Sequence, residues 1–549
     1  MTKPILLTTL NARYHHSSFG LRYLLAQLEQ RPETQGQTHL QEFTISQNPK
    51  DIVEKILELN PKIVGLGVYI WNTDQTLEVV SILKAIRPEI LIVLGGPEVS
   101  YEYQDQPLCE RADFVFIGES DFSFSEFCAS FLTHHTLPQT KWISSELPEV
   151  KKLASPYRFY TDEDIRHRVI YVEASRGCPY KCEYCLSSLD KSVRSFDIDS
   201  FLNEMNLLIE RGVRSFKFVD RTFNLSISTS SKILTFFLER INLGLFLHFE
   251  MVPDRLPIEL RELISQFPAG SLQFEIGIQT WNPTVARNVS RRQDYEKIRE
   301  NIDFLSHKTG VHLHVDLIAG LPGEDLQSFA RGFDAVTSLT PHEVQLGILK
   351  RLKGTPISRH EQPLQMIYQT KAPFQILQNK DLSYQELQSL SRFANFWDLY
   401  SNSGNFPNWM SLLRQKAQTR PEPSYFAELW EFFQFLTQRH TQGHSIALLN
   451  LVESAWIYGL EKLKIPADRL RKALISDYAE RVKRDIPKFL RTDSTPLLKS
   501  QAHLERHKPL THSQESNPQN TAAQAQTQVQ PHPSHHLPKR QLKHVLPSP

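Results

Sequence analysis

The run Val169-Ile170-Tyr171-Val172-Glu173-Ala174-Ser175-Arg176-Gly177-Cys178-Pro179-Tyr180-Lys181-Cys182-Glu183-Tyr184-Cys185 decides the fold. Its first six residues read as a buried strand. The strand delivers three cysteines within eight residues, in a chain of 549 that has five in all. Disulfides between such near neighbours close trivial loops and add little stability. Two useful readings stand. A structural zinc site is closed by four ligands, commonly as paired Cys-x-x-Cys units, and no second pair follows here, so zinc would borrow a distant histidine. An iron–sulfur cube is usually held by four thiolates, and three would leave one iron open to a small ligand. Spacing and context favour the cube.

With Tyr184 just before the third cysteine, the C-x3-C-x2-C spacing resembles the signature of the radical SAM superfamily. The resemblance implies a [4Fe–4S] cluster on Cys178, Cys182 and Cys185. Its open iron would be chelated by the amino and carboxylate groups of S-adenosylmethionine. One-electron reduction would then release methionine and a 5'-deoxyadenosyl radical. The spacing by itself speaks only for an open-iron cluster.

Outward from this loop, the next 180 or so residues repeat strand and helix. Phe216 to Val219 leads to Asp220-Arg221-Thr222-Phe223-Asn224. Leu245 to Met251 carries Glu250, and Gln273 to Ile278 carries Glu275 and runs into Gln279. His312 to Ile318 carries Asp316 and runs into Gly320-Leu321-Pro322-Gly323-Glu324, and Val344 to Leu349 closes the series. About six βα units predict an open, partial parallel barrel, whose site lies at the carboxyl ends of the strands. Strands buried on both faces should be nearly pure aliphatic. Glu250, Glu275, Gln279 and Asp316 depart from that, and an unpaired buried carboxylate is expensive. A polar ligand in the barrel mouth explains them; the alternative is pairing with Arg176, Arg221 or Lys350. The resemblance places Asp220 to Asn224 near the amino group of S-adenosylmethionine and Glu275 and Gln279 near its ribose or carboxylate. It places Gly320 and Pro322 near the adenine, with the Tyr184 backbone at the adenine edge.

The N-terminal third alternates buried strands (Pro4 to Thr9, Ile63 to Val68, Ile90 to Leu94, Phe114 to Ile117) with helical patterns (Gly20 to Leu28, Thr76 to Ile86, from Ser123). That alternation predicts a doubly wound parallel sheet, which takes ligands at the carboxyl ends of its strands. Glycines fall there: Gly95-Gly96-Pro97 and Gly118-Glu119. A tight turn alone would explain a glycine pair. "VLGGPEVS" with "ADFVFIGES" nevertheless resembles the cobalamin-binding domain found before the barrel in one large branch of the superfamily. Gly95, Gly96, Gly118 and Glu119 become cofactor-binding candidates, because glycine permits close backbone approach. No Asp-x-His-x-x-Gly motif is present, so cobalamin here is expected without a histidine on cobalt; His15 and His16 follow the first strand but lack that frame.

Basic and acidic residues number 62 and 61, which leaves no global field for nucleic acid or an anionic membrane. No run of about twenty apolar residues is present. The N-terminus reads as a strand rather than a signal peptide. An oxygen-sensitive cluster and few cysteines suit a reducing cytoplasm, and Cys109 and Cys128 read as small buried hydrophobes. Toward the C-terminus, Leu387, Leu390, Phe393, Phe396 and Trp397 repeat at helical spacing, as do Leu429, Phe432, Phe433 and Leu436. Such stripes are packing. A basic helical pattern with Arg469, Arg471, Lys472 and Arg484 reads as a solvated face. Beyond 497 the chain is Gln, Pro, Ser, Thr and His, which predicts disorder.

The expected organisation is a Rossmann-like cobalamin-binding domain over 1–145, a linker over 146–168, a partial barrel over 169–365, a helical domain over 366–496 and a disordered tail over 497–549. The helical domain resembles an uncharacterised one carried by a subset of cobalamin-type radical SAM proteins. The resemblance implies methylation of an unactivated carbon of a small-molecule or peptide substrate, with electrons from a carrier such as flavodoxin or ferredoxin. A radical rearrangement or cyclisation, or a cluster-bearing sensor without turnover, are the alternatives. Methylthiolation of transfer RNA would call for more N-terminal cysteines than Cys109 and Cys128.

Overall fold

Six parallel strands form the first sheet: β1 Ile5–Asn11, β2 Thr38–Thr44, β3 Ile63–Gly67, β4 Leu91–Gly95, β5 Phe114–Ile117 and β6 Trp142–Ser144, in the order β2-β1-β3-β4-β5-β6. β1 and β3 are buried along their whole length, as a central parallel strand covered on both faces must be. The two faces carry separate apolar cores: Ile52, Val80 and Leu83 with Cys109 on one, Leu21, Phe124 and Phe127 with Cys128 on the other. Strand order reverses between β1 and β3, the place at which such sheets take ligands outside their carboxyl ends. β2 and the helix Pro49–Glu58 have no counterpart in the sequence reading. β2 (Thr-His-Leu-Gln-Glu-Phe-Thr) is a half-exposed edge strand, so it lacks the apolar run of its neighbours. The computed structural model describes residues 3–440, 446–480 and 485–491.

The second sheet has six parallel strands as well: β7 Ile170–Val172, β10 Ser215–Phe218, β11 Phe246–Met251, β12 Leu272–Gln279, β13 His312–Ala319 and β14 Glu343–Ile348. Their order is β14-β13-β12-β11-β10-β7, an open barrel in which β7 and β14 are the edges. Between β7 and β10 a two-residue antiparallel pair, β8 Ser175–Arg176 and β9 Arg194–Ser195, pinches the base of the cysteine loop. The barrel strands alternate. Phe216, Phe218, Phe249, Phe274, Leu313 and Val315 are fully buried, while Lys217, His248, Glu250, Glu275, His314 and Asp316 occupy the other side.

Both sheets belong to one compact unit ending at Ser391, and charged clamps join them. Arg22, on the helix Phe19–Leu28, is 1 % exposed and pairs with Glu42 of β2 and Asp164, both at 2.8 Å. Asp164 sits on the short helix Asp162–His167, capped by Thr161. Residues 146–168 bridge the two sheets, since Tyr157 and Tyr160 bond the backbone of Glu173 and Tyr171 on the barrel side. After β14 the chain returns to that sheet: Lys353 pairs with Glu98 at 2.6 Å and Arg351 with Glu102 at 2.7 Å.

From Arg392 the chain forms a second compact unit, with helices Pro407–Ala417, Tyr425–Arg439, Leu448–Glu461 and Ala467–Ile475. Phe432 is its hub, with ring centroids 4.8–5.5 Å from Phe396, Tyr400, Trp409 and Tyr458. Asp477 accepts from the backbone of Asn408 and Trp409 and so caps a helix start. Arg469 and Arg471 engage Gln415 and Asp468 at the surface. Arg484 and the expected tail at 497–549 lie outside the described residues. Among the described residues no helix is long and apolar enough to cross a membrane.

Candidate active site

Backbone constraints shape the cysteine loop. Gly177 adopts φ +91°, and a Cβ there would land on the Ser192 carbonyl, so only glycine fits the base of the loop. Cys178 N–H donates to the Asp190 carbonyl at 3.1 Å, and Cys185 N–H to the Cys182 carbonyl at 3.1 Å. Cys178 and Cys182 are buried and Cys185 is half-buried; all three are free thiols and line one cavity of about 180 Å³. Among the described residues no three His, Cys, Asp or Glu side chains close on a single ion. Three thiols that line one cavity without converging on a point suit a multi-iron cube better than a tetrahedral zinc.

The same cavity is lined by Tyr184, Arg221, Glu250, Glu275, Gln279, Arg291 and Asp316. Glu275 Oε2 lies 3.0 Å from His248 Nε2 and 3.6 Å from Lys217 Nζ. Burial opposes its ionisation, but the His248 hydrogen bond and the Lys217 charge prevail and hold it down to about 2. Glu250 meets Arg221 at 3.5 Å, and burial, with Glu275 and Asp316 nearby, pushes its carboxyl up against the pull of Arg221. Asp316 is likewise pushed up by burial, against the pull of His314 3.2 Å away. Two carboxyls raised and one lowered in a single cavity is the pattern of a binding or reaction site.

Gln279 stands out. It has φ +70°, sits where β12 slips register against β13, and leaves Oε1 buried with no hydrogen bond. A strained, orphaned amide facing thiols is poised for a ligand. Arg291, absent from the sequence reading, donates to Cys182 Sγ at 3.2 Å, to Tyr184 Oη at 3.3 Å and to the Gly277 carbonyl. It lies 109 positions from Cys182, with no motif to announce the contact.

Other candidates do structural work. Asp220 accepts from Ala174 N–H at 2.9 Å and Ser175 Oγ at 2.6 Å, which ties β7 to β10; burial pushes it up to about 6. Asn224, fully buried, bonds the carbonyls of Val252 and Arg255 and accepts from Val252 N–H. Gly320 packs against Ile376, and the Pro322 carbonyl accepts from Asn288. None of these four lines the thiol cavity.

A second cavity, about 480 Å³, opens at the carboxyl ends of β3, β4 and β5. Gly65, Gly67, Gly95, Gly96, Gly118 and Glu119 line it from the first sheet, and Glu173, Ser175, Arg176 and Arg221 from the barrel. Gly96 has φ +112°, and its Cβ would meet the Val68 carbonyl at 2.5 Å. Such a bare cradle admits a large flat ligand. Its carboxylates are committed: Arg176 holds Glu119, Asp121 and Glu173, and Arg194 holds Glu119 and Asp190. His16 lies elsewhere, 2.7 Å from Tyr171 Oη, so neither it nor His15 lines the cradle. Ser187 and Arg221 line both cavities.

Three family models match in succession: a B12 binding domain over residues 5–127, the radical SAM superfamily over 172–335, and a protein family of unknown function over 363–535. The chain is 23 % identical over 358 residues to the cobalamin-dependent radical SAM methyltransferase TokK of Streptomyces tokunonensis, covering 55 % of this chain and 50 % of that protein. It is 22 % identical over 293 residues to a tRNA-2-methylthio-N(6)-dimethylallyladenosine synthase of Acinetobacter baylyi, covering 51 % and 60 %. The chain thus spans about half the length of such curated relatives. In fold it is similar to the radical S-adenosylmethionine methyltransferase TsrM of Kitasatospora setae, with TM-score 0.53 and 17 % identity over 65 % of this chain and 77 % of that one.

Proposed function

The chain belongs to the cobalamin-binding-domain branch of the radical SAM superfamily, with a [4Fe–4S] cluster, S-adenosylmethionine and cobalamin as its cofactors, and from that premise we propose that it methylates an unactivated carbon of a substrate held between its two cavities. When bound, the cluster and S-adenosylmethionine supply a radical able to take hydrogen from a C–H bond, and cobalamin supplies the methyl group that replaces it. Cys178, Cys182 and Cys185 would hold three irons. The buried Arg291 guanidinium faces the thiol cavity and suits the carboxylate of S-adenosylmethionine. Gln279 and the ionised Glu275 suit its hydroxyls and ammonium. Gly95, Gly96 and Gly118 would let the corrin approach the backbone, with Glu119 fixed beside it by Arg176 and Arg194.

One observation carries the reading: Ser187 and Arg221 form a wall common to both cavities. A carbon held there would lie between the cavity of the three cysteines and the glycine cradle. A low-potential carrier such as flavodoxin or ferredoxin would supply the electron, in a reducing cytoplasm.

Anaerobic reconstitution tests the reading. Holoprotein is expected to show a corrin spectrum and to release 5'-deoxyadenosine and S-adenosylhomocysteine, with a product one methylene heavier. 5'-Deoxyadenosine with no S-adenosylhomocysteine and an unchanged substrate mass would support rearrangement instead. Zinc in place of iron and sulfide would end the radical reading.

A further inference from the structure

Glu183 lies between two of the residues that line the thiol cavity, Cys182 and Tyr184, yet its own side chain does not line it. Its carboxylate, 5 % exposed, accepts from Arg359 Nε and Nη2, both at 2.7 Å, from Ser290 Oγ, and meets His360 Nε2 at 2.9 Å. Its backbone is held as well: Glu183 N–H donates to the Val289 carbonyl at 3.1 Å, and Ile357 N–H donates to the Glu183 carbonyl at 3.0 Å. A buried carboxylate without partners is expensive, and a guanidinium gripping both oxygens is among the stronger anchors a protein makes. The middle of the cysteine loop is therefore clamped between Val289 and Ser290 on one side and the segment 357–360, which follows the last barrel strand, on the other, and this segment supplies both charged partners. Cys182 and Tyr184 are flanked by that anchor, and Cys185 follows through its hydrogen bond to Cys182.

We propose that Glu183 is the positioning residue of the cluster-binding loop, held by Arg359 and His360, so that the barrel receives its cluster only with this segment in place. The proposal rests on the cluster reading of the three cysteines. It extends that reading to residues that touch no iron. Outer partners of metal ligands typically carry 10–100-fold of metal affinity.

The full chain is reconstituted anaerobically as wild type, E183Q, R359M and R359K. Iron and sulfide per chain, the electron paramagnetic resonance signal of the reduced cluster, and the rate of iron loss to a ferrous chelator are recorded beside thermal stability. E183Q and R359M are expected to lose iron about tenfold faster than wild type and to show an altered cluster signal. R359K, which keeps the charge without the two-pronged grip, should fall between. Variants that melt earlier but keep the wild-type signal and rate of iron loss would reduce Glu183 to a structural ion pair and overturn the proposal. Should E183Q not fold, R359M carries the test, because the Arg359 side chain is 59 % exposed and its removal leaves no cavity. Wild-type protein that takes up no iron or sulfide would end the cluster reading and the proposal together. A loaded wild type matched by both variants would end the proposal alone.

Discussion

Gln279 holds a backbone conformation that glycine adopts freely and glutamine does not. Left-handed strain of this kind costs on the order of 1 kcal/mol and persists where the surroundings impose it. Q279G should leave the free protein as stable as wild type or more so, while weakening S-adenosylmethionine about tenfold through loss of the amide. Calorimetry of the free protein beside cofactor titration checks both halves; equal binding would remove Gln279 from the site. Behind it, Thr280 donates to Glu324 at 2.7 Å, and Glu324 is buried with no ion pair among the described residues. Burial lifts its carboxyl from 4.5 to about 7, against the pull of the Thr280 and Ser328 hydroxyls. The folded value lies above the unfolded one, so this group's contribution is full below pH 4.5 and is lost as pH rises toward 7. The loss is roughly 3 kcal/mol. E324Q should therefore outlast wild type in denaturant at pH 8 and match it near pH 4.5. A difference of the same size at both pH values would contradict the assignment.

The turn after β4 and the turn after β5 test the cradle at the next scale. Both glycines have positive φ, but the space around them differs: a Cβ on Gly96 strikes the Val68 carbonyl, whereas one on Gly118 finds its nearest atom, the Ser145 carbonyl, at 3.6 Å. G118A should cost about 1 kcal/mol from conformation alone. G96A should cost more, because backbone must move, and should abolish the corrin spectrum that G118A retains in part. Absorbance of cobalamin-loaded protein after gel filtration decides it. These two turns were legible in the sequence because glycine at a strand end has few other uses. The barrel strands were legible too, since their buried positions are almost all Phe, Leu, Ile or Val. β2 was not, being half-exposed. Nor were the partners of the polar residues: Asp220 and Asn224 sit in a recognisable motif, but whether they face a cofactor or brace a turn depends on chain segments far away in sequence. Arg291 and Glu183 escaped for the same reason, each meeting its partner across more than a hundred positions.

At the scale of the whole first unit, charged pairs join the two sheets beside ring contacts such as Tyr23 on Phe196. Lys353 and Glu98 are almost fully enclosed, and Glu98 follows directly on the glycine turn of the cradle. Arg351 and Gly354 N–H both engage Glu102. E98Q combined with E102Q should release cobalamin about tenfold faster, a change worth roughly 1.4 kcal/mol, while iron content stays unchanged. Equal release would mean that the cradle closes without these contacts. The segment Lys350–His360 reaches both neighbourhoods: its first half engages Glu98 and Glu102, its second half Glu183. It begins beyond the end of one recognisable domain, at 335, and stops short of the next, at 363. A cut at those two borders would remove it together with β14, and a protein trimmed there should come out pale and poor in iron.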